Sequence, residues 1–183
     1  MEGDCFNSLK IEGDEQDIER FKEQAAYVYD ERNDVKTSLS FNQFIPLPPE
    51  LSVRIENNDE TSSRLIAKYG CDNGFDWVIN NWGVEVEAFA DDPIGNVYEF
   101  ITEWNPPIKW IINVSRKFPG LIFILNYQNF SYPDEDLADF GSLVIQNGKK
   151  KSEEYKTKGR CVRCSSCNRV TGYLPDSLCK SAE

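Results

Sequence analysis

The chain has 183 residues, 40% hydrophobic and 13% aromatic, enough for the core of one ordinary domain with an appendage and too apolar for global disorder. Twenty Lys and Arg stand against 31 Asp and Glu, a net charge of −11, and histidine is absent. That absence excludes Ser-His-Asp and Cys-His nucleophile systems, imidazole acid–base chemistry and every His-containing metal site.

"CFNSLKIEG", Cys5 to Gly13, alternates Phe6, Ser8 and Lys10 against Cys5, Leu9 and Ile11, which predicts a first strand. Asp14 then caps a helix in which Ile18, Phe21, Ala25, Val28 and Tyr29 recur at helical spacing, with acidic residues in its first turn where the helix dipole favours them. "SLSFNQFI", Ser38 to Ile45, reads as a second strand stopped by "PLPPE", and Glu56 to Ser63 as a polar loop. "SSRLIAKYG" is a short helix closed by Gly70. "DNGFDWVINNWG" is another, capped at Asp72 or Asn73, with Phe75, Val78 and Ile79 on one side and Gly83 at its end.

A hairpin is expected next: Val84–Ala90, the turn "DDPIGN", and Val97–Trp104. "PPIKWIINVSRKF" follows as a helix with Pro106 and Pro107 at its start, where a missing N–H costs nothing. "LIFILNYQNF" is a strand apolar on both faces at first, as in the middle of a sheet. After the acidic loop "DEDLAD", "FGSLVIQNG" is the last strand. The order β-α-β, extra helices, β-β-α-β, β predicts an α+β fold. The expected form is a ferredoxin-like split βαβ core: a mostly antiparallel sheet with helices on one face, plus inserted helices. Residues 1–148 form this domain, 149–160 a basic polar linker, and 161–183 a small Cys-rich C-terminal tail.

The hydrophobic pattern registers the hairpin. Ala90 faces Tyr98, Ala88 faces Phe100, Val86 faces Thr102 and Val84 faces Trp104, and this side belongs on the core. The other side sets Glu85 opposite Glu103, Glu87 opposite Ile101 and Phe89 opposite Glu99. Like charges placed directly opposite cost stability. Two readings are therefore open: a solvated acidic surface, or a stripe that binds a partner or a cation. In the second, Glu85, Glu99 and Glu103 are the metal ligands to test in a carboxylate enzyme such as a nuclease. Asn-Asn-Trp-Gly carries the same choice. Asn80, Asn81 and Gly83 can close a helix while Trp82 covers the core edge; or Asn81, Trp82 and Trp104 can wall a pocket.

Charge is uneven. Residues 1–150 hold 13 Lys and Arg against 27 Asp and Glu, a net −14, whereas residues 151–183 are net +3. The acidic body disfavours nucleic acid, and only the basic tail favours it. No apolar run approaches the ~18 residues of a membrane span, and the polar start does not read as a signal peptide. The expectation is a cytoplasmic protein with reduced thiols.

Five strings in order, "CFNSLKIEG", "SFNQFIPLPPEL", "NNWG", "EFITEWNPP" and "KFPGLIFILNYQNF", resemble the YubB-type ferredoxin-like domains of phage and plasmid proteins, over roughly residues 4–148. Members of that family tend to follow Trp-Gly with Lys and a second Trp, where this chain has Val84, Glu85 and Val86; Gln128 stands where a glutamate is usual. The resemblance implies the fold and a mobile-element setting, and it supplies no catalytic residue.

In the tail, "CVRCSSCNRVTGYLPDSLC" places Cys161, Cys164, Cys167 and Cys179 within 19 residues. Cys-x-x-Cys steps let thiolates share one ion, and four complete a tetrahedral structural zinc site. Nearby Arg160, Arg163, Arg169 and Lys180 offset its charge. Disulfide or redox pairing, a plain cysteine tail and an iron–sulfur cluster are the alternatives. The functional expectation is a non-enzymatic accessory protein that binds a protein or other macromolecule, in one version as an acidic inhibitor competing with nucleic acid for a basic cleft.

Overall fold

The structure is a computed structural model that describes residues 3–30, 35–52, 59–88, 90–130, 137–163 and 170–174. It is an α+β fold: a mixed run of helices packed on an antiparallel sheet. Strand β1 is Asp4–Glu12, and its alternation buries Cys5, Asn7, Leu9 and Ile11 while Phe6 and Lys10 face out. Helix α1 is Glu15–Ala25, and the Asp14 side chain caps it by accepting from the Gln16 N–H at 2.9 Å. Ile18, Phe21 and Ala25 are its buried stripe.

Val28 and Tyr29 do not continue that stripe, contrary to expectation. The chain is already extended at Ala26, and Tyr27–Asp30 is a strand, β2, paired with β3 (Val35–Thr37) in a separate two-stranded sheet. Three consecutive residues of high β propensity, Tyr27, Val28 and Tyr29, override the helical spacing. The strand expected at Ser38–Ile45 is instead the short helix α2, Phe41–Phe44. Phe41 and Phe44 are both buried, an i, i+3 relation that a helical turn satisfies and a strand cannot.

Helices α3 (Pro49–Ser52) and α4 (Asp59–Tyr69) follow, the latter closed by Gly70 at φ 79° with its N–H on the Ile66 carbonyl. Helix α5 is Gly74–Asn81, capped by Asn73, which accepts from the Asp76 N–H at 2.8 Å. Its buried pair is Trp77 and Val78; Phe75, expected inside, is 56% exposed. The helix turns its Trp77–Val78 side to the core and leaves Phe75 a quarter-turn away in solvent.

Residues 84–88 are not the first strand of a hairpin. Val84 and Ala88 are buried, Glu85 and Val86 are exposed, and only the single bridges Ala90–Phe100 and Ile94–Val97 join this segment's end to the next strand. A strand would have buried Val86 along with Val84 and Ala88. Strand β4, Val97–Glu103, pairs with β1, so Glu103 lies opposite Asp4 and not opposite Glu85.

Helix α6, Ile108–Lys117, starts just after Pro106 and Pro107 and buries Trp110, Ile111, Val114 and Ser115. Strand β5, Ile122–Phe130, enters the sheet on the other side of β1. Strands β4 and β5 are thus joined through α6 with β1 inserted between them, both antiparallel to it. Strand β6 is Leu137–Gln146, and β7, Lys149–Arg163, returns beside it. The segment expected to be a polar linker is therefore largely sheet. Asn147 (φ 48°) and Gly148 (φ 72°) make the two-residue turn that this hairpin needs, and backbone pairing with β6 does not require apolar side chains on β7. Strand β8, Val170–Leu174, completes the order β4-β1-β5-β6-β7-β8.

One face of the sheet is buried. Leu9, Ile11, Tyr98, Phe100, Phe123, Leu125, Leu143 and Ile145 meet α1, α2 and α6 through an aromatic cluster. Phe21 stacks on Phe44 with ring centroids 4.9 Å apart and meets Phe123 edge-on at 5.7 Å, and Phe41 lies 4.5 Å from Trp110. Each such ring contributes roughly 1.5–3 kcal/mol on burial. No helix among the described residues is long and apolar enough to cross a membrane.

Candidate functional site

The five residues expected to bind are not brought together. Trp82 is a core residue, 4% exposed; its indole N–H donates to the Ile45 carbonyl at 2.9 Å, and its ring meets Phe41 and Trp77 edge-on. Asn81 uses its side-chain amide to donate to the Trp77 carbonyl at 2.8 Å, closing α5. The structure therefore favours the helix-closing reading of Asn-Asn-Trp-Gly over a pocket wall. Glu85 is exposed in the segment before β4, and Glu103 ends β4. Glu99 and Glu103 share a face of that strand but stand four residues apart, roughly 13 Å, too far to hold one ion. Among the described residues no group of three or more His, Cys, Asp or Glu could hold a metal.

Trp104 is the exposed aromatic of the set. It holds a left-handed backbone conformation, φ 62°, that bulky residues rarely adopt. Its N–H donates to the Gly3 carbonyl at 2.7 Å, and the Asn129 side-chain amide donates to its carbonyl. The Thr102 hydroxyl donates to the Asn105 carbonyl at 2.7 Å, which ties the same turn from within. Of the tail cysteines, Cys161 is placed on β7 opposite Tyr173 of β8. Cys164, Cys167 and Cys179 lie outside the described residues, and the zinc expectation lies there with them.

Glu87 is where the acidic segment departs most from expectation. Its carboxylate turns inward and accepts from the backbone N–H groups of Phe41, Asn42 (3.0 Å) and Ala88 (3.1 Å), and from the Ser40 hydroxyl at 3.4 Å. It caps α2 across 46 residues of sequence, a service that the residue before the helix, Ser40, does not perform with its own hydroxyl. Burial pushes its pKa above the ordinary value, and these four hydrogen bonds pull it back only in part. Cys5, also buried, has its thiol pushed up to about 12 by burial and is chemically inert on the core side.

A concavity of about 810 Å³ lies on the face of the sheet opposite the described helices. Most of its lining is strand residues that point away from the core. Across one line, Glu99 of β4 faces Ser8 of β1, Ser8 faces Asn126 of β5, Asn126 faces Ser142 of β6, and Ser142 faces Glu154 of β7. On the next line Ile101 faces Phe6, Phe6 faces Gln128, and Gln128 faces Phe140. Asp91 closes the β4 side.

Ser8, Asn126, Gln128 and Ser142 make no side-chain hydrogen bond among the described residues, and Glu99 and Glu154 make no ion pair there. By contrast, Asn7, the neighbour of Ser8 on the buried side, uses its amide on the Cys5 carbonyl at 2.9 Å and the Thr102 hydroxyl at 2.8 Å. Among the described residues the outer face thus offers amides and hydroxyls without a hydrogen-bond partner and carboxylates at both ends; the side chains of Phe6 and Ile101 are exposed on it. Behind this face the sheet holds a close approach between β5 and β6. Any Cβ on Gly141 would come within 2.5 Å of the Tyr127 ring, which lies opposite it in register.

None of these outward residues except Glu99 figured among the sequence candidates. The signal was present in "LNYQNF", where Asn126 and Gln128 alternate with Leu125 and Tyr127 and give β5 one polar side. Comparison with protein-family models, with curated proteins and with solved structures gave no match.

Proposed function

We infer that the protein is a binding module, not built for catalysis, that takes a protein partner on the open face of its sheet. The observation that carries this reading is the line Ser8, Asn126, Ser142, with Gln128 beside it: donors and acceptors in register across three adjacent strands, with no partner among the described residues. Sheet faces of this kind serve nucleic-acid binding where exposed aromatics lie in a positive field. Here Asp91, Glu99 and Glu154 rim the face of a chain with net charge −11, so a polyanion is repelled.

In this reading the fold is a ferredoxin-like arrangement, supported by the β4–α6–β5 connection around β1, and the protein acts as an accessory factor of a phage or plasmid. An acidic inhibitor that occupies a basic cleft is one form of that role. Affinity capture from cell lysate tests it, with wild type compared with Asn126→Arg. The substitution puts a bulky cation in the middle of the face at an exposed position. Proteins recovered by wild type should be lost with the variant. Recovery of the same proteins by both would remove the face from consideration.

A further inference from the structure

Resting on the reading that the open face takes a protein, the register of its side chains specifies the chemistry of the segment that sits there. The row from Glu99 to Glu154 crosses four inter-strand spacings, roughly 19 Å. A chain lying extended across the strands advances about 3.3 Å per residue, so about six residues separate the two ends. Each end of the row presents an exposed carboxylate that makes no ion pair among the described residues. The middle presents the Asn126 amide between two serine hydroxyls. A primary amide offers a donor and an acceptor side by side, which is the complement of a peptide group, and it reads main chain without regard to sequence. One row over, the rings of Phe6 and Phe140 flank Gln128 and supply an apolar surface.

We propose that the open face binds an extended basic peptide segment of a partner protein, laid across the strands, with two Lys or Arg about six residues apart and an apolar side chain between them. Charge complementarity selects this occupant. The carboxylates of Glu99 and Glu154 attract cationic side chains and repel phosphate, while Lys10 on the outer side of β1 is held by Glu12 at 2.6 Å. Uncommitted amides in the middle give the main chain somewhere to bond, which an acidic patch alone would not.

The test uses fluorescein-labelled synthetic peptides and the full chain, read by fluorescence anisotropy. The probe is Arg-Gly-Ser-Phe-Ser-Gly-Arg; the control has the same composition with the two arginines adjacent. The spaced peptide is expected to bind about tenfold more tightly than the control, since only it can reach both carboxylates. Glu99→Gln and Glu154→Gln should each weaken the spaced peptide about threefold, with an unchanged melting temperature, because both side chains are exposed. Equal binding of the two peptides to wild type overturns the proposal, and so does a labelled oligothymidylate that binds in their place. If no peptide binds while lysate capture is still lost with Asn126→Arg, the basic-segment inference falls and the protein-binding reading stands. If capture is indifferent to Asn126→Arg, both fall.

Discussion

Glu87 shows how one side chain can change the path of a segment. The run Val84 to Ala88 has the alternation of a surface strand, yet the carboxylate of Glu87 turns in to serve three backbone N–H groups and the Ser40 hydroxyl. Replacing it with Ala leaves buried donors without an acceptor and should cost about 1 to 3 kcal/mol. Because burial raises its pKa, the stability from this carboxyl is fully present below its unfolded value, near 4.5, and is lost as pH rises through the higher folded value. Urea unfolding of wild type and Glu87→Gln should therefore diverge with pH above that lower limit, wild type losing stability relative to the variant. Parallel curves would show that the group is not titrating from a buried position. At this scale the sequence was a poor guide, since nothing in Val-Glu-Val-Glu says which glutamate faces a helix 46 residues away.

Elements whose own periodicity matched their final burial were legible from the sequence: β1, α1 up to Ala25, α6 and β5 all stand where the pattern put them. Those that failed did so for physical reasons. Helix α2 is four residues long, too short for a period to declare itself, and it is held by packing of Phe41 and Phe44. Strand β7 contains almost no apolar side chain and exists because a turn aims it along β6. The Asn-Gly at its start was the readable signal. That turn makes a direct prediction. Gly148 holds φ 72°, and a Cβ there would sit 2.5 Å from the Arg116 side chain, so Gly148→Ala should lower stability by about 1 to 2 kcal/mol in urea titration. An unchanged midpoint would mean that the β6–β7 hairpin does not depend on this turn. The candidate site was hidden for a related reason: it is assembled from single outward residues of five strands, and only the lateral register brings them into line.

For the molecule as a whole, charge and architecture act together. The described helices pack on one face of the sheet, and the other carries Glu99 and Glu154 in a chain of net charge −11, which disfavours polyanions there. Association with a basic peptide should accordingly slow as ionic strength rises from about 50 to about 500 mM, with dissociation changed much less, since screening acts on long-range steering. Stopped-flow measurement of both rates checks this; a salt-independent association rate would separate the face from the charge. The turn after β4 bears on a different matter, the fate of the molecule at high concentration. An outer strand with a free backbone ladder is a template on which other chains polymerise. Here Ala90 bridges across to Phe100 near the middle of β4, and at its far end Trp104 swings into a left-handed bend fastened to Gly3 and Asn129, with two prolines following after Asn105. The Ala90 bridge thus interrupts the outer ladder at its centre, and the bend at Trp104 limits the edge to the seven residues of β4.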